Sequence, residues 1–215
     1  HILLQDLLYY INELLYERTI KPIKIFLDSP MANKITKVFQ DHPELYDEEM
    51  TELVHSQNSP FKIANLKMAK TTDESKGILN VTEPFIVIAG SGMCTGGRIK
   101  HHLKNYISEP KNTIMFVGYQ AIGTLGRQIV DGEKEVRILG EKRIVRANIV
   151  KISGFSAHAD KNELLNWLKH LKKTPKKVFV VHGEESSSES FAKFVRKEMG
   201  CDVIVPSYRD TVILD

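Results

Sequence analysis

The chain has 215 residues, 42% of them hydrophobic and 27% charged, with a formal net charge of +3. That is enough chain for one large domain or two small ones with a real core, and the composition excludes a disordered or fibrous protein. No apolar run approaches the roughly 20 residues of a membrane span, and no basic segment with a small-residue cleavage site opens the chain. Cys94 and Cys201 form neither a CxxC nor a ligand-like cluster and read as reduced thiols. The expectation is a cytoplasmic protein without a membrane partner. The charge permits a polyanionic partner without requiring one.

His1 is not a methionine, and Ile2, Leu3, Leu4, Leu7, Leu8, Ile11, Leu14 and Leu15 make a wide apolar stripe with no capping residue ahead of it. We therefore expect a piece of a longer polypeptide. Residues 23–27 predict a strand. Asp28-Ser29-Pro30 follows, with Ser29 as N-cap and Pro30 at the first position of a helix over 31–40. The stretch 41–75 is polar and poorly punctuated. A second strand over 85–89 runs into the glycine-rich segment 90–98 and a helix over 97–106 with Ile99, Leu103 and Tyr106 on one face. Residues 112–118 predict a third strand. Segments 136–139 and 144–152 predict two more, with a Gly140-Glu141 turn between them. Asp160 and Glu163 have capping-box spacing ahead of a helix carrying Leu164, Leu165, Leu168 and Leu171. Residues 178–181 predict a buried strand, 187–199 a helix, and 203–205 and 212–214 short strands. The alternation argues for an α/β fold with a mainly parallel sheet flanked by helices.

Four places carry chemistry. Gly90, Gly92, Gly96 and Gly97 lie between a strand and a helix, where glycines let backbone N–H groups approach an anion. Ser91, Thr95 and Arg98 add polar groups to the loop. It is neither a Walker A motif nor G-x-G-x-x-G, and a tight connection without a ligand is the alternative. Arg98, Lys100, His101, His102 and Lys104 then cluster on the helix. Such a run is usually solvated, but beside the loop it suits a nucleic-acid backbone. Asp28 and Ser29 end the first strand, at an ordinary helix entry or at the mouth of the same cleft. Last, His158 closes the loop before one helix and His182 follows a strand's carboxyl end, 24 residues apart. Ligands and catalytic groups gather at that rim in α/β folds, and imidazole serves as metal ligand and proton shuttle.

The motifs Leu27-Asp28-Ser29-Pro30-Met31-Ala32, Ala89-Gly90-Ser91-Gly92-Met93, Gly118-Tyr119-Gln120, Gly123-Thr124-Leu125-Gly126, Phe155-Ser156-Ala157-His158 and Val181-His182-Gly183-Glu184 occur in this order. Together they resemble the C-terminal part of a β-CASP ribonuclease of the metallo-β-lactamase superfamily, over nearly the whole chain. The resemblance implies a β-CASP domain over 1–153 and, over 154–215, the C-terminal αβ segment of a metallo-β-lactamase αββα fold. It implies a two-zinc enzyme that hydrolyses RNA with a metal-activated hydroxide. His158 matches the histidine that contacts the scissile phosphate and serves as general acid. His182 matches a zinc ligand. Asp28, Ser29, Ser91, Gly92, Met93, Gly96, Gly97, Arg98 and Ser156 match the segments that line the channel for single-stranded RNA.

The chain departs from the family pattern in holding no His-x-His-x-Asp-His, and one imidazole cannot hold a catalytic zinc, which needs about three protein ligands. The expectation is an inactive fragment without stably bound zinc, one that self-associates as a homodimer through the exposed faces of its C-terminal segment. A non-catalytic nucleic-acid-binding α/β module using the loop 90–98 is the competing reading. A nucleotide-dependent α/β enzyme is a third, against which no acidic residue stands about 20 positions beyond the loop.

Overall fold

A computed structural model describes residues 2–46, 48–55, 63, 65–152 and 158–214. The chain forms two compact units, residues 1–157 and 158–215. Both are mixed α/β, with parallel strands flanked by helices.

In the first unit α1 (Ile2–Tyr16) precedes β1 (Lys24–Leu27), α2 (Pro30–Asp41), α3 (Glu48–His55), β2 (Leu66–Met68), α4 (Thr72–Gly77) and β3 (Phe85–Ile88). The three strands form a parallel sheet in the order β2-β1-β3, with Ile25 opposite Leu66 and Ile86, and Leu27 opposite Met68 and Ile88. The central strand is an apolar run with Ile25, Phe26 and Leu27 buried, as a parallel strand covered on both faces requires. Leu8 and Ile11 of α1 pack with Ile25 and Ile63. Phe26 packs with Ala69 and Ile78, joined by Phe85 and Val87.

The chain continues through α5 (Ile99–Tyr106), β4 (Thr113–Val117), α6 (Leu125–Val130), β5 (Glu135–Ile138), β6 (Glu141–Ile144) and β7 (Asn148–Ile152). Strands β4 and β7 pair in parallel, and β5 and β6 form an antiparallel hairpin. A core of Leu103, Ile107, Phe116, Ile129, Val136 and Ile138 joins these elements. The strand expected over 144–152 is therefore two elements. The chain leaves the hairpin after Ile144, and the amides of Arg146 and Ala147 both donate to the Ile107 carbonyl before β7 begins. The hairpin turn falls at Leu139-Gly140, both with positive φ (49° and 85°), the backbone that a two-residue turn between twisted strands needs. The parallel strands lie in separate small sheets.

The second unit holds α7 (Lys161–Lys169), β8 (Lys177–Phe179), α8 (Glu185–Met199) and β9 (Asp202–Ile204), with β8 and β9 parallel. Leu165 and Leu168 pack with Ala192, Val195 and Val203. Asp160 and Glu163 make the expected capping box, and Gly200 ends α8 in the left-handed region (φ 65°). The other side of α7 faces outward: Leu164 and Trp167 are exposed, Trp167 at 68%, as is Leu171 just beyond the helix. Residues 212–214 form no strand and are exposed. Their alternation lacks a neighbouring strand among the described residues, and an unpaired strand has nothing to hold it. No helix among the described residues is long and apolar enough to cross a membrane.

Ile129 is completely buried in the core joining α5, α6, β4 and β5. Ile129→Ala is expected to cost about 2–5 kcal/mol, read as a lowered urea midpoint with an unchanged slope.

Candidate functional site

Strand β1 is followed directly by Asp28, which no solvent reaches. A lone carboxylate there would be very costly, so it must be paired or neutralised. Its Oδ1 accepts from Arg98 Nη1 at 2.6 Å, and its Oδ2 accepts from Ser75 Oγ at 2.6 Å and from His102 Nε2 at 2.7 Å. The Asp28 amide donates to the Ile88 carbonyl at 2.8 Å. Burial alone would raise the Asp28 pKa. The hydrogen bonds from Ser75, His102 and Arg98 outweigh it and hold the carboxyl below its ordinary value of 3.8. Arg98 also donates to the carbonyls of Ala69 at 3.0 Å and Lys70 at 3.4 Å. The His102 ring stacks on Tyr106, with an interplanar angle of 7°, and Tyr106 meets Phe85 edge to face.

The basic run on α5 is therefore not one solvated face. Arg98 and His102 are four residues apart and share a side of the helix, and that side turns in to Asp28. His102 is 4% exposed. Composition gave no sign of this for His102 or Ser75. The only sequence signal was the four-residue spacing, and it carries meaning only once a buried carboxylate is known to face it.

The glycine loop hangs between this clamp and a second one. Ser29 caps α2 by accepting from the Ala32 amide, and its hydroxyl lies where a Cβ on Gly90 would meet it at 3.3 Å. The Gly90 carbonyl accepts from the Ile99 amide and that of Ser91 from the Cys94 amide. Gly92 accepts from Gln120 Nε2 at 3.0 Å, and Met93 from the Gly126 amide at 3.1 Å. The loop thus commits these carbonyls to internal partners. Ser91 Oγ and Thr95 Oγ1 lie 3.1 Å apart. Gly97 sits at φ 73°, and a Cβ there would come within 2.8 Å of the Gly90 carbonyl oxygen, so a side chain is excluded both by φ and by contact. Gly92 and Gly97 are exposed, and Ser91, Met93 and Gly96 half-buried. The structure thus brings Asp28, Ser29 and the loop together at the carboxyl ends of β1 and β3. Asp28 offers no surface to a ligand: it holds Arg98.

In the second unit His158 is exposed two residues ahead of the Asp160 cap of α7. His182 is exposed with φ 65° in the connection from β8 to α8. Gly183 beside it leaves room that a Cβ would take from Ser188 Oγ, at 2.3 Å. Ser156 lies outside the described residues. Among the described residues no three His, Cys, Asp or Glu side chains converge as a metal site would require, so they do not fit a zinc ion on their own.

The family profile described as "Beta-Casp domain" matches residues 4–129, and that described as "Zn-dependent metallo-hydrolase RNA specificity domain" matches residues 143–206. The chain is 40% identical to a protein of Thermus thermophilus named Ribonuclease TTHA0252, over 80% of this chain and 39% of the relative. It is 35% identical to the Transcription termination factor FttA of Methanocaldococcus jannaschii, over 92% and 32%. It is 34% identical to an RNase J-like protein of the same organism, over 97% and 47%. The chain thus spans less than half the length of each of these curated relatives.

Removing the buried carboxylate leaves Arg98 and His102 facing an apolar interior. Asp28→Asn is expected to cost about 3–5 kcal/mol. Because the folded pKa is depressed, the stability Asp28 supplies is complete above its unfolded-state value and is lost as the pH falls through the folded one. The gap in urea midpoint between wild type and Asp28→Asn should therefore be constant from about pH 7 to about pH 5 and close below about pH 4. Gly126→Ala places a Cβ 1.9 Å from Gln120 Oε1. It should free the Gly92 end of the loop, seen as faster amide exchange over residues 91–96.

Proposed function

Because this chain belongs to the β-CASP family, we propose that it is part of a zinc-dependent RNA-processing nuclease, for which it supplies the wall of the RNA channel, a phosphate-contacting histidine and one zinc ligand. The observation that carries this reading is the succession of two matches, a β-CASP profile and then one for a zinc-dependent metallo-hydrolase RNA specificity domain. The relatives named as ribonuclease and RNase J-like protein support it. We take residues 1–153 as the β-CASP part and 154–215 as the segment that completes the catalytic domain.

In this reading the loop 90–98 meets the backbone of single-stranded RNA. Ser91, Gly92, Met93, Gly96 and Gly97 offer N–H groups, Ser91 also a hydroxyl, and Ser29 stands beside Gly90; Ser156, outside the described residues, is the remaining RNA contact of this reading. Asp28 acts by fixing Arg98, which ties the loop to α5. His158 contacts the scissile phosphate and donates a proton to the departing oxygen. His182 is one zinc ligand, the others coming from beyond the described residues. The work is cytoplasmic. Leu164, Trp167 and Leu171 offer an exposed apolar face through which the second unit would pair with a second copy.

The 215-residue chain is expected to hold a labelled single-stranded RNA with an affinity that falls as salt rises, to cleave none of it, and to carry no stoichiometric zinc by elemental analysis. Zinc-dependent cleavage by this chain, abolished by His158→Ala, would overturn the division of labour. Loss of all salt-sensitive RNA binding would overturn the channel reading.

A further inference from the structure

The second unit is electrically lopsided. Residues 169–177, at the end of α7 and in its connection to β8, hold five lysines and no acid. Lys169 lies 3.7 Å from Glu198, which brings the ends of α7 and α8 together, and Lys177 stands opposite Asp202 in the β8-β9 register. The two acids at this end thus have cations beside them. Lys172, Lys173 and Lys176 lie between, exposed and without an ion pair among the described residues. Basic residues at a helix C-terminus can serve only to offset its dipole, but that effect fades beyond the last turn. Lys169 already occupies the last turn of α7, and the three lysines come after it. The starts of α7 and α8 meet at the other end, where Lys161 lies beside Ser186, Ser187 and Ser190. There Asp160, Glu163, Glu184 and Glu185 accompany His158 and His182 in the sequence.

Resting on the reading of this chain as RNA-handling, we propose that Lys172, Lys173 and Lys176 form a second RNA-binding surface, which holds the sugar-phosphate backbone away from the bond that is cut. Strand β8 starts at this surface and runs toward His182, and the five residues from Lys177 to His182 span at most about 18 Å. Cations strung along an exposed connection suit a line of phosphodiesters. Residues 169–177 include no Phe, Tyr or Trp on which a base could stack, so the contact is to the backbone and indifferent to sequence. Residues 172–177 carry no large apolar side chain to enter a lipid surface. Pro175 restricts the backbone that presents the lysines. The field of the unit turns this end toward a polyanion and the acidic end away from it. An extended single strand and the duplex stem of a folded RNA share this chemistry.

Fluorescence anisotropy of a labelled RNA hairpin and a labelled single strand, titrated with the 215-residue chain over a series of salt concentrations, tests the proposal. Lys172→Ala with Lys173→Ala and Lys176→Ala is expected to weaken at least one of the two RNAs about tenfold or more, and to lower the slope of log affinity against log salt by about 2–3. A control lacking Lys24, Lys37 and Lys142, each already ion-paired, removes the same charge and should change neither quantity. Replacing the three lysines by arginine should keep wild-type binding, and the thermal midpoint reports that every variant keeps its fold. Weakening of the hairpin alone assigns the surface to a duplex stem, and weakening of the single strand alone assigns it to an extended flank. Both support it. RNA bound by the triple alanine variant as tightly as by the control refutes the surface and leaves the nuclease reading standing. RNA bound by the wild type solely through these lysines supports the surface and refutes the channel reading. No RNA bound by the wild type overturns both. Loss of binding to phosphatidylserine vesicles with RNA binding unchanged assigns the lysines to a membrane and overturns the proposal.

Discussion

One buried carboxylate organises the carboxyl end of the parallel sheet in the first unit. Asp28 is placed by β1, yet its partners come from α4 and α5, 47 to 74 residues away in sequence. An ionised group at zero exposure tolerates no partial solution: Ser75, Arg98 and His102 must all arrive for the charge to be supported. The geometry of the start of α5, and with it the exit of the glycine loop, follows from that demand. Gln120 and Gly126 fix the other end of the loop through the Gly92 and Met93 carbonyls. The loop is exposed in parts, but its ends are clamped, an arrangement that holds its N–H groups in place without any ligand.

Much of the element order was legible in the residues, because local rules suffice for it. Ser29-Pro30 marks the start of α2, the Asp160–Glu163 spacing marks α7, and the apolar run at 25–27 marks a parallel strand. The departures from that order have a common physical source in long-range pairing. Residues 144–152 look like one strand until the Ile107 carbonyl takes two consecutive amides and bends the chain away. Strand β2 is only three residues long, and nothing in Leu66-Lys67-Met68 announces a strand until β1 supplies the ladder. Residues 212–214 alternate like a strand and have no neighbour among the described residues to make them one.

The candidate site was legible as a set of positions and less so as a set of orientations. The loop 90–98 and Ser29 stand out because glycines and hydroxyls crowd a strand-to-helix junction, where the backbone must turn tightly or come close to an anion. The direction in which Asp28, Arg98 and His102 point could not be read, since a helix with basic residues on several faces looks solvated from its pattern alone. His158 and His182 stood out by their place ahead of helices, and the structure keeps them at two such junctions within the second unit.

The protein has a single tryptophan, and it sits on the exposed side of α7, in the second unit. Six of the seven tyrosines belong to the first unit, with Tyr106 stacked against His102 in the Asp28 network, and the seventh, Tyr208, to the second. Nature has thus built an optical label into one half of the molecule alone. Light at the long-wavelength edge of protein absorption, taken up by tryptophan alone, reports residues 158–215 and is blind to the clamp. The second unit can thus be watched by itself in the unaltered polypeptide, without attaching a dye.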